Sequence, residues 1–166
     1  MKKILVLLMI TLTLSSCEKD DICTEETTPQ LILEFYDISN PANLRTVLNL
    51  KVREVGQTVD LGIFNGVSKI KLPLKIADTT TKYSFILNST GTTVPPNEDF
   101  LQFNYTTQNL FVSRACGYKT TFTLDNAPNG VVKTDVATPD SFWIQDINIQ
   151  TNSITTENET HIKIYF

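Results

Sequence analysis

The sequence predicts an all-β fold, and three observations carry that prediction. From Gln30 to the C-terminus, apolar residues recur with period two. Clusters of Asn, Pro, Gly and Asp separate the alternating runs. After residue 16 no stretch shows convincing helical spacing. About eight to ten short strands follow, and they fit best as an antiparallel β-sandwich with Ig-like proportions.

In chain order, Leu31, Leu33 and Phe35 alternate with Ile32, Glu34 and Tyr36. This strand is apolar on both faces and is expected to be central. Asn40-Pro41-Ala42-Asn43 is a turn. Leu48, Leu50 and Val52 are expected to face one way and Asn49, Lys51 and Arg53 the other, with Gly56 ending the strand. Val59, Leu61 and Ile63 make the next strand. Asn65-Gly66 is the strongest hairpin signal in the chain, because a tight type I′ turn needs positive φ at both central residues. Ile70, Leu72, Leu74 and Ile76 follow, opposed by Lys69, Lys71 and Lys75. Pro73 lacks a backbone donor, so this reads as an edge strand whose lysines discourage edge pairing.

Tyr83, Phe85 and Leu87 form another strand, and Asn88 to Asp99 reads as a long polar loop. Leu101, Phe103 and Tyr105 alternate, then Leu110 to Val112 lead into a turn at Arg114–Gly117. Thr120, Phe122 and Leu124 carry the next strand. Asn126 to Gly130 is a turn, followed by a weak strand over Val131–Val136. Phe142, Ile144, Ile147 and Ile149 read as one strand with a bulge near Asp146. Ile162, Ile164 and Phe166 close the chain. The Tyr165-Phe166 ending also suits an outer-membrane barrel. Barrel strands need about nine to eleven residues with a lipid-facing apolar row, and these strands are too short and too polar.

The N-terminus reads as an address. Lys2 and Lys3 precede an apolar run from Ile4 to Leu14, too short to span a bilayer, which needs about 20 residues. Leu14-Ser15-Ser16-Cys17 then resembles a bacterial lipobox. Residues 1–16 are read as a signal peptide, 17–29 as a lipidated flexible tether and 30–166 as one β-sandwich domain. The Cys17 thiolate is the nucleophile that takes up a diacylglyceryl group. Two or three acyl chains hold tightly where one holds marginally. The rival reading is an ordinary signal peptide with an incidental cysteine. Lys19, Asp20 and Asp21 resemble the short export signal that carries Bacteroidota lipoproteins to the cell surface. A solvated, periplasm-facing tether reads much the same.

Removing residues 1–16 leaves 12 Lys and Arg against 18 Asp and Glu. That acidic balance, with no basic tract, argues against a nucleic-acid partner. The expected partners are the membrane, through the anchor, and another envelope protein. Cys23 and Cys116 remain in the mature chain, 93 residues apart. In an oxidising compartment two such thiols commonly pair. Two free buried thiols, or one reactive cysteine, are the alternatives.

No catalytic, cofactor-binding or metal-ligating residue is assigned. The chain has no Gly-rich phosphate loop, no Cys-x-x-Cys and no Gly-x-Ser-x-Gly. His161 is the single histidine, so a His-based metal site or catalytic triad has no partner set. It is expected on a strand surface. Glu98 and Asp99 are expected in a solvated loop. Trp143, Phe142, Tyr118 and Tyr105 are expected to be core, and would serve a glycan- or peptide-binding platform only if exposed together. The expected role is non-enzymatic: an accessory or binding module, with that glycan or peptide binder as the alternative.

Leu-Ser-Ser-Cys-Glu-Lys-Asp-Asp-Ile-Cys-Thr (14–24), Arg-Ala-Cys-Gly-Tyr-Lys (114–119) and His-Ile-Lys-Ile-Tyr-Phe (161–166) are similar to segments of a flavobacterial lipoprotein family of unknown function. The likeness spans essentially the whole chain. It implies a small all-β surface or periplasmic lipoprotein and brings no activity. Both non-anchor cysteines fall in resembling segments, in keeping with a disulfide.

Overall fold

The computed structural model describes residues 22–166. Cys17, Lys19, Asp20 and Asp21, with the whole signal segment, lie outside the described residues. Within them the chain forms eleven strands and no helix. They are β1 (Leu31–Tyr36), β2 (Leu50–Glu54), β3 (Asp60–Phe64), β4 (Lys69–Leu72), β5 (Thr80–Leu87), β6 (Asn97–Ser113), β7 (Gly117–Leu124), β8 (Val131–Asp135), β9 (Asp146–Ile149), β10 (Ser153–Ile154) and β11 (Ile162–Tyr165).

Two sheets pack face to face without closing into a barrel. The smaller has the order β4-β1-β11-β9. The larger runs β10-β7-β6-β5-β2-β3, with β8 added beside β6. Leu31, Leu33 and Phe35 of β1, with Ile162 and Ile164 of β11, belong to one core with Val52, Tyr83, Phe85, Leu101 and Phe103 of the larger sheet. Each such side chain contributes roughly 1.5–3 kcal/mol by leaving water.

The strand β1 is central, as its two apolar faces require; Ile32 is buried behind the core face. The strand β4 lies at an edge, as Pro73 and the lysines imply. Lys69 pairs with Glu34 at 2.6 Å and Lys71 with Glu157 at 2.7 Å. One departure concerns direction. The sandwich is antiparallel at every ladder but one: β1 and β11 run parallel, with Leu33 opposite Ile162. Strands far apart in the chain have no hairpin to impose an antiparallel sense.

Three local readings are corrected. Asn65-Gly66 makes no hairpin, although Gly66 has φ 68°. The Gly66 N–H donates to the Val47 carbonyl, Val67 bridges Val47, and the chain crosses from the larger sheet to the smaller. In the β2 region Val47 is buried and Leu48 is 56% exposed. Asn49 takes φ 50°, which breaks the alternation one residue before the strand. At β3, Val59 just before the strand and Leu61 and Ile63 within it are exposed, while Phe64 packs on the core. The ladder slips there: Val52 faces Gly62 and Arg53 faces Asp60, leaving Leu61 without an opposite residue.

Two further boundaries differ. The segment Phe142–Gln145 is not strand, and only Asp146–Ile149 forms β9. The expected loop over Asn88–Asp99 is cut short because β6 begins at Asn97. That strand is 17 residues long. Its first half lies between β5 and β8, and its second half pairs with β7 alone.

Candidate interaction surfaces and the disulfide-held arm

The second half of β6 and the facing part of β7 make a two-stranded arm. From Asp99 to Tyr105 the odd-numbered residues of β6 are buried; from Thr106 to Leu110 every residue is exposed. The β5 ladder stops at Thr80 opposite Asn104, so β6 runs past the end of its neighbour. The other side of the arm is better covered. The β7 edge pairs with β10 at Phe122 and Thr123, and the Thr120 N–H donates to Thr28 Oγ1 at 3.0 Å. The Thr120 hydroxyl also donates to Asn109 Oδ1 across the ladder at 2.7 Å.

The tip of the arm turns through Arg114, Ala115 and Cys116, and Gly117 takes φ 70° there. Cys116 is joined to Cys23 by a disulfide. This confirms the pairing over free thiols. The bond ties segment 22–29 along the arm, and an open cleft of about 190 Å³ runs between Cys23, Thr28, Val112 and Tyr118. Pro29 is buried and Thr28 half-buried, so packing starts before residue 30.

The four aromatics do not gather. Trp143 is in the core: its ring meets Phe166 edge-on at 5.5 Å, and its indole N–H donates to the Phe85 carbonyl at 3.1 Å. Tyr105 is buried against Phe122 and hydrogen-bonded to Thr81. Phe142 is 37% exposed beneath the Lys133 ammonium, which lies 4.3 Å from its ring centre. Only Tyr118 is widely exposed, at 72%. Its neighbour is Phe111, directly opposite in the ladder, with ring centres 5.4 Å apart. Sequence reasoning missed Phe111 as a surface residue; the signal was the run Thr106–Asn109, polar on both faces.

His161 is fully buried, not on a surface. Its backbone N–H donates to the Ile32 carbonyl at 3.1 Å, and its Nδ1 accepts from the Ile32 N–H at 2.9 Å. An imidazole accepting at Nδ1 is neutral there. Burial lowers its pKa from the ordinary value. Because the folded state then binds fewer protons, His161 withdraws stability as pH falls below about 6.5. It extends the β1–β11 ladder by one side-chain bond.

Asp99 is likewise fully buried, inside β6 and not in a loop. Its Oδ2 accepts the Ile144 N–H at 2.8 Å. Burial pushes its pKa up to about 6, against the opposing pull of that N–H. Asn97, two residues earlier, donates to the Ser141 carbonyl at 2.7 Å. Together they clasp segment 141–144, which carries Trp143 into the core. Glu98, on the other face, accepts from Ser84. These carboxylates are structural fasteners. Among the described residues no group of three His, Cys, Asp or Glu side chains is placed to hold a metal. An open cleft of about 320 Å³ is lined by Glu26, Pro29, Lys71 and Glu157.

The described residues thus define a two-sheet, all-β sandwich with a disulfide-held arm. Within that class the chain belongs to the family of unknown function DUF6452, whose family model matches residues 49–166. The match includes Cys116 and leaves Cys23 and β1 outside it. No curated protein and no solved structure matches the chain.

Proposed function

We propose that this chain is a non-enzymatic, lipid-anchored envelope lipoprotein of the Bacteroidota type, serving as an accessory or binding module for another outer-membrane or surface component. The observation that carries this reading is the Cys23–Cys116 disulfide, whose first cysteine lies six residues beyond Cys17. Structural disulfides persist in compartments reached by export. That agrees with residues 1–16 as a signal peptide and Cys17 as the lipidated residue. Lys19, Asp20 and Asp21 then serve as the export signal, which sets the body on the cell surface; the alternative is a periplasm-facing anchor. The apolar row Val59, Leu61 and Ile63 at the outermost strand of the larger sheet supports a binding role, since such an edge is a surface on which another chain docks.

Mass spectrometry of the purified native protein tests the anchor. The expected chain starts at an acylated Cys17; an unmodified amino terminus, or another first residue, defeats the proposal. Protease shaving of intact cells tests the address, with Lys19, Asp20 and Asp21 replaced together in a comparison strain. Wild-type protein is expected to be shaved and the replacement protected. A pull-down from detergent-solubilised membranes that recovers no partner above background counts against the binding role.

A further inference from the structure

The tip of the β6–β7 arm carries an apolar surface that no described residue covers. Phe111 is 60% exposed, Tyr118 72%, and Ile22, beside the tip, 79%. Phe111 and Tyr118 share a face with Tyr105 and Phe122, so they continue the core-facing row beyond the place where the smaller sheet covers it. Left in water, the pair contributes at most the modest stability of one exposed cross-strand aromatic contact.

Where the chain comes from says what covers the pair. Cys23 is fixed to the tip by the disulfide, with Cα atoms of Cys23 and Cys116 4.8 Å apart. Cys23 lies six residues beyond Cys17, with five residues between them. Fully extended, six Cα-to-Cα steps reach at most about 22 Å. An acyl-modified Cys17 sits at the headgroup boundary, so the arm tip is held within that distance of the bilayer while the sandwich hangs behind it. The tip chemistry suits that layer. A phenol beside a phenyl ring presents an apolar body and a polar end, the combination that collects at membrane–water interfaces. Charge at the tip is mixed, with Arg114 and Lys119 beside Glu25 and Glu26. The attraction is therefore apolar and does not call for anionic lipid.

We propose that Phe111 and Tyr118 dock the arm tip into the interfacial layer of the phospholipid membrane that holds the lipid anchor. This inference rests on the reading of Cys17 as the anchor. Besides closing the arm, the disulfide then orients the body, with the tip toward the lipid and the sandwich away from it.

The test uses the full, native lipidated chain and its Tyr118→Trp variant, each reconstituted into vesicles of dibrominated phosphatidylcholine or of the unbrominated lipid. Wild type provides the baseline, because its single tryptophan, Trp143, is buried. Both proteins are expected to float with the vesicles. The added indole of the variant is expected to lose most of its emission in brominated lipid, with wild-type emission unchanged. If the variant floats but its added indole keeps its emission, the docking inference is overturned and the anchor stands. Docking is equally overturned if the indole is shielded only as protein concentration rises, which would mark a second copy on the arm. If neither protein floats, the anchor reading falls and the docking inference with it.

Discussion

The two halves of β6 belong to one strand and live in different worlds. From Asp99 to Phe103 the strand has β5 on one side and β8 on the other, and every second residue is buried as far as Tyr105. From Thr106 to Ser113 it has β7 alone, and no residue is buried. The sequence alternates apolar residues in the first half and turns polar in the middle, then becomes apolar again at Leu110–Val112. Burial follows the number of covering neighbours, not the hydrophobicity of the strand. An apolar pair outside cover, such as Phe111 and Tyr118, has to be explained by something other than the core.

The sharpest way to break this contrast is to truncate one aromatic in each half. Phe103→Ala removes a fully buried ring and is expected to cost about 3–5 kcal/mol in denaturant unfolding. A cost near zero would mean that the first half is not core. Next in size is the staple. Replacing Cys23 and Cys116 together by Ser is expected to lose about 2–4 kcal/mol, with hydrogen exchange rising first in Leu110–Lys119. Uniform loosening of the whole body would show that the arm is not a separate unit.

Asp99 gives a third, pH-dependent test. Its folded pKa near 6 lies above the ordinary 3.8, so the folded state binds the extra proton. Its contribution is full at low pH and is lost as pH rises through about 4 to 6, by up to roughly 3 kcal/mol. The stability of Asp99→Asn relative to wild type is therefore expected to climb over that window and level off above it. A flat difference would deny that burial governs the carboxyl. The smallest effect belongs to Phe111→Ala, expected to change stability by no more than about 0.5 kcal/mol. A large loss there would turn the arm into part of the core.

The fold class was legible because period-two alternation survives in most strands. Leu31–Phe35, Tyr83–Phe85 and Leu101–Tyr105 all bury the residues their pattern predicts. Pro73 and its lysines announced an edge. Phase was less legible. A single left-handed residue, Asn49, moved burial from Leu48 to Val47, and a ladder slip turned Leu61 outward. Asn65-Gly66 shows the limit of turn chemistry: the backbone takes the bend, but tertiary pairing with Val47 decides which sheet comes next. His161 and Asp99 were misplaced for one reason. A polar side chain can be buried when a backbone N–H waits for it, and those partners, Ile32 and Ile144, lie 129 and 45 residues away. The disulfide was legible from the cysteine count and the compartment that the N-terminus leads one to expect, whereas the arm it closes was not, since nothing local says that β5 stops short.

The parallel seam between β1 and β11 sets a timetable for making this protein. Leu33 emerges from the ribosome early and must wait for Ile162 before its sheet has a middle. Piece-by-piece folding can add β4 to β1 but cannot complete the smaller sheet before β11 has been made. Pairings that remote in sequence are slow to find, because a long loop must close before any contact rewards it. A nascent chain of this design can pair the strands of its larger sheet as they appear, while the smaller sheet waits for β11 to reach β1.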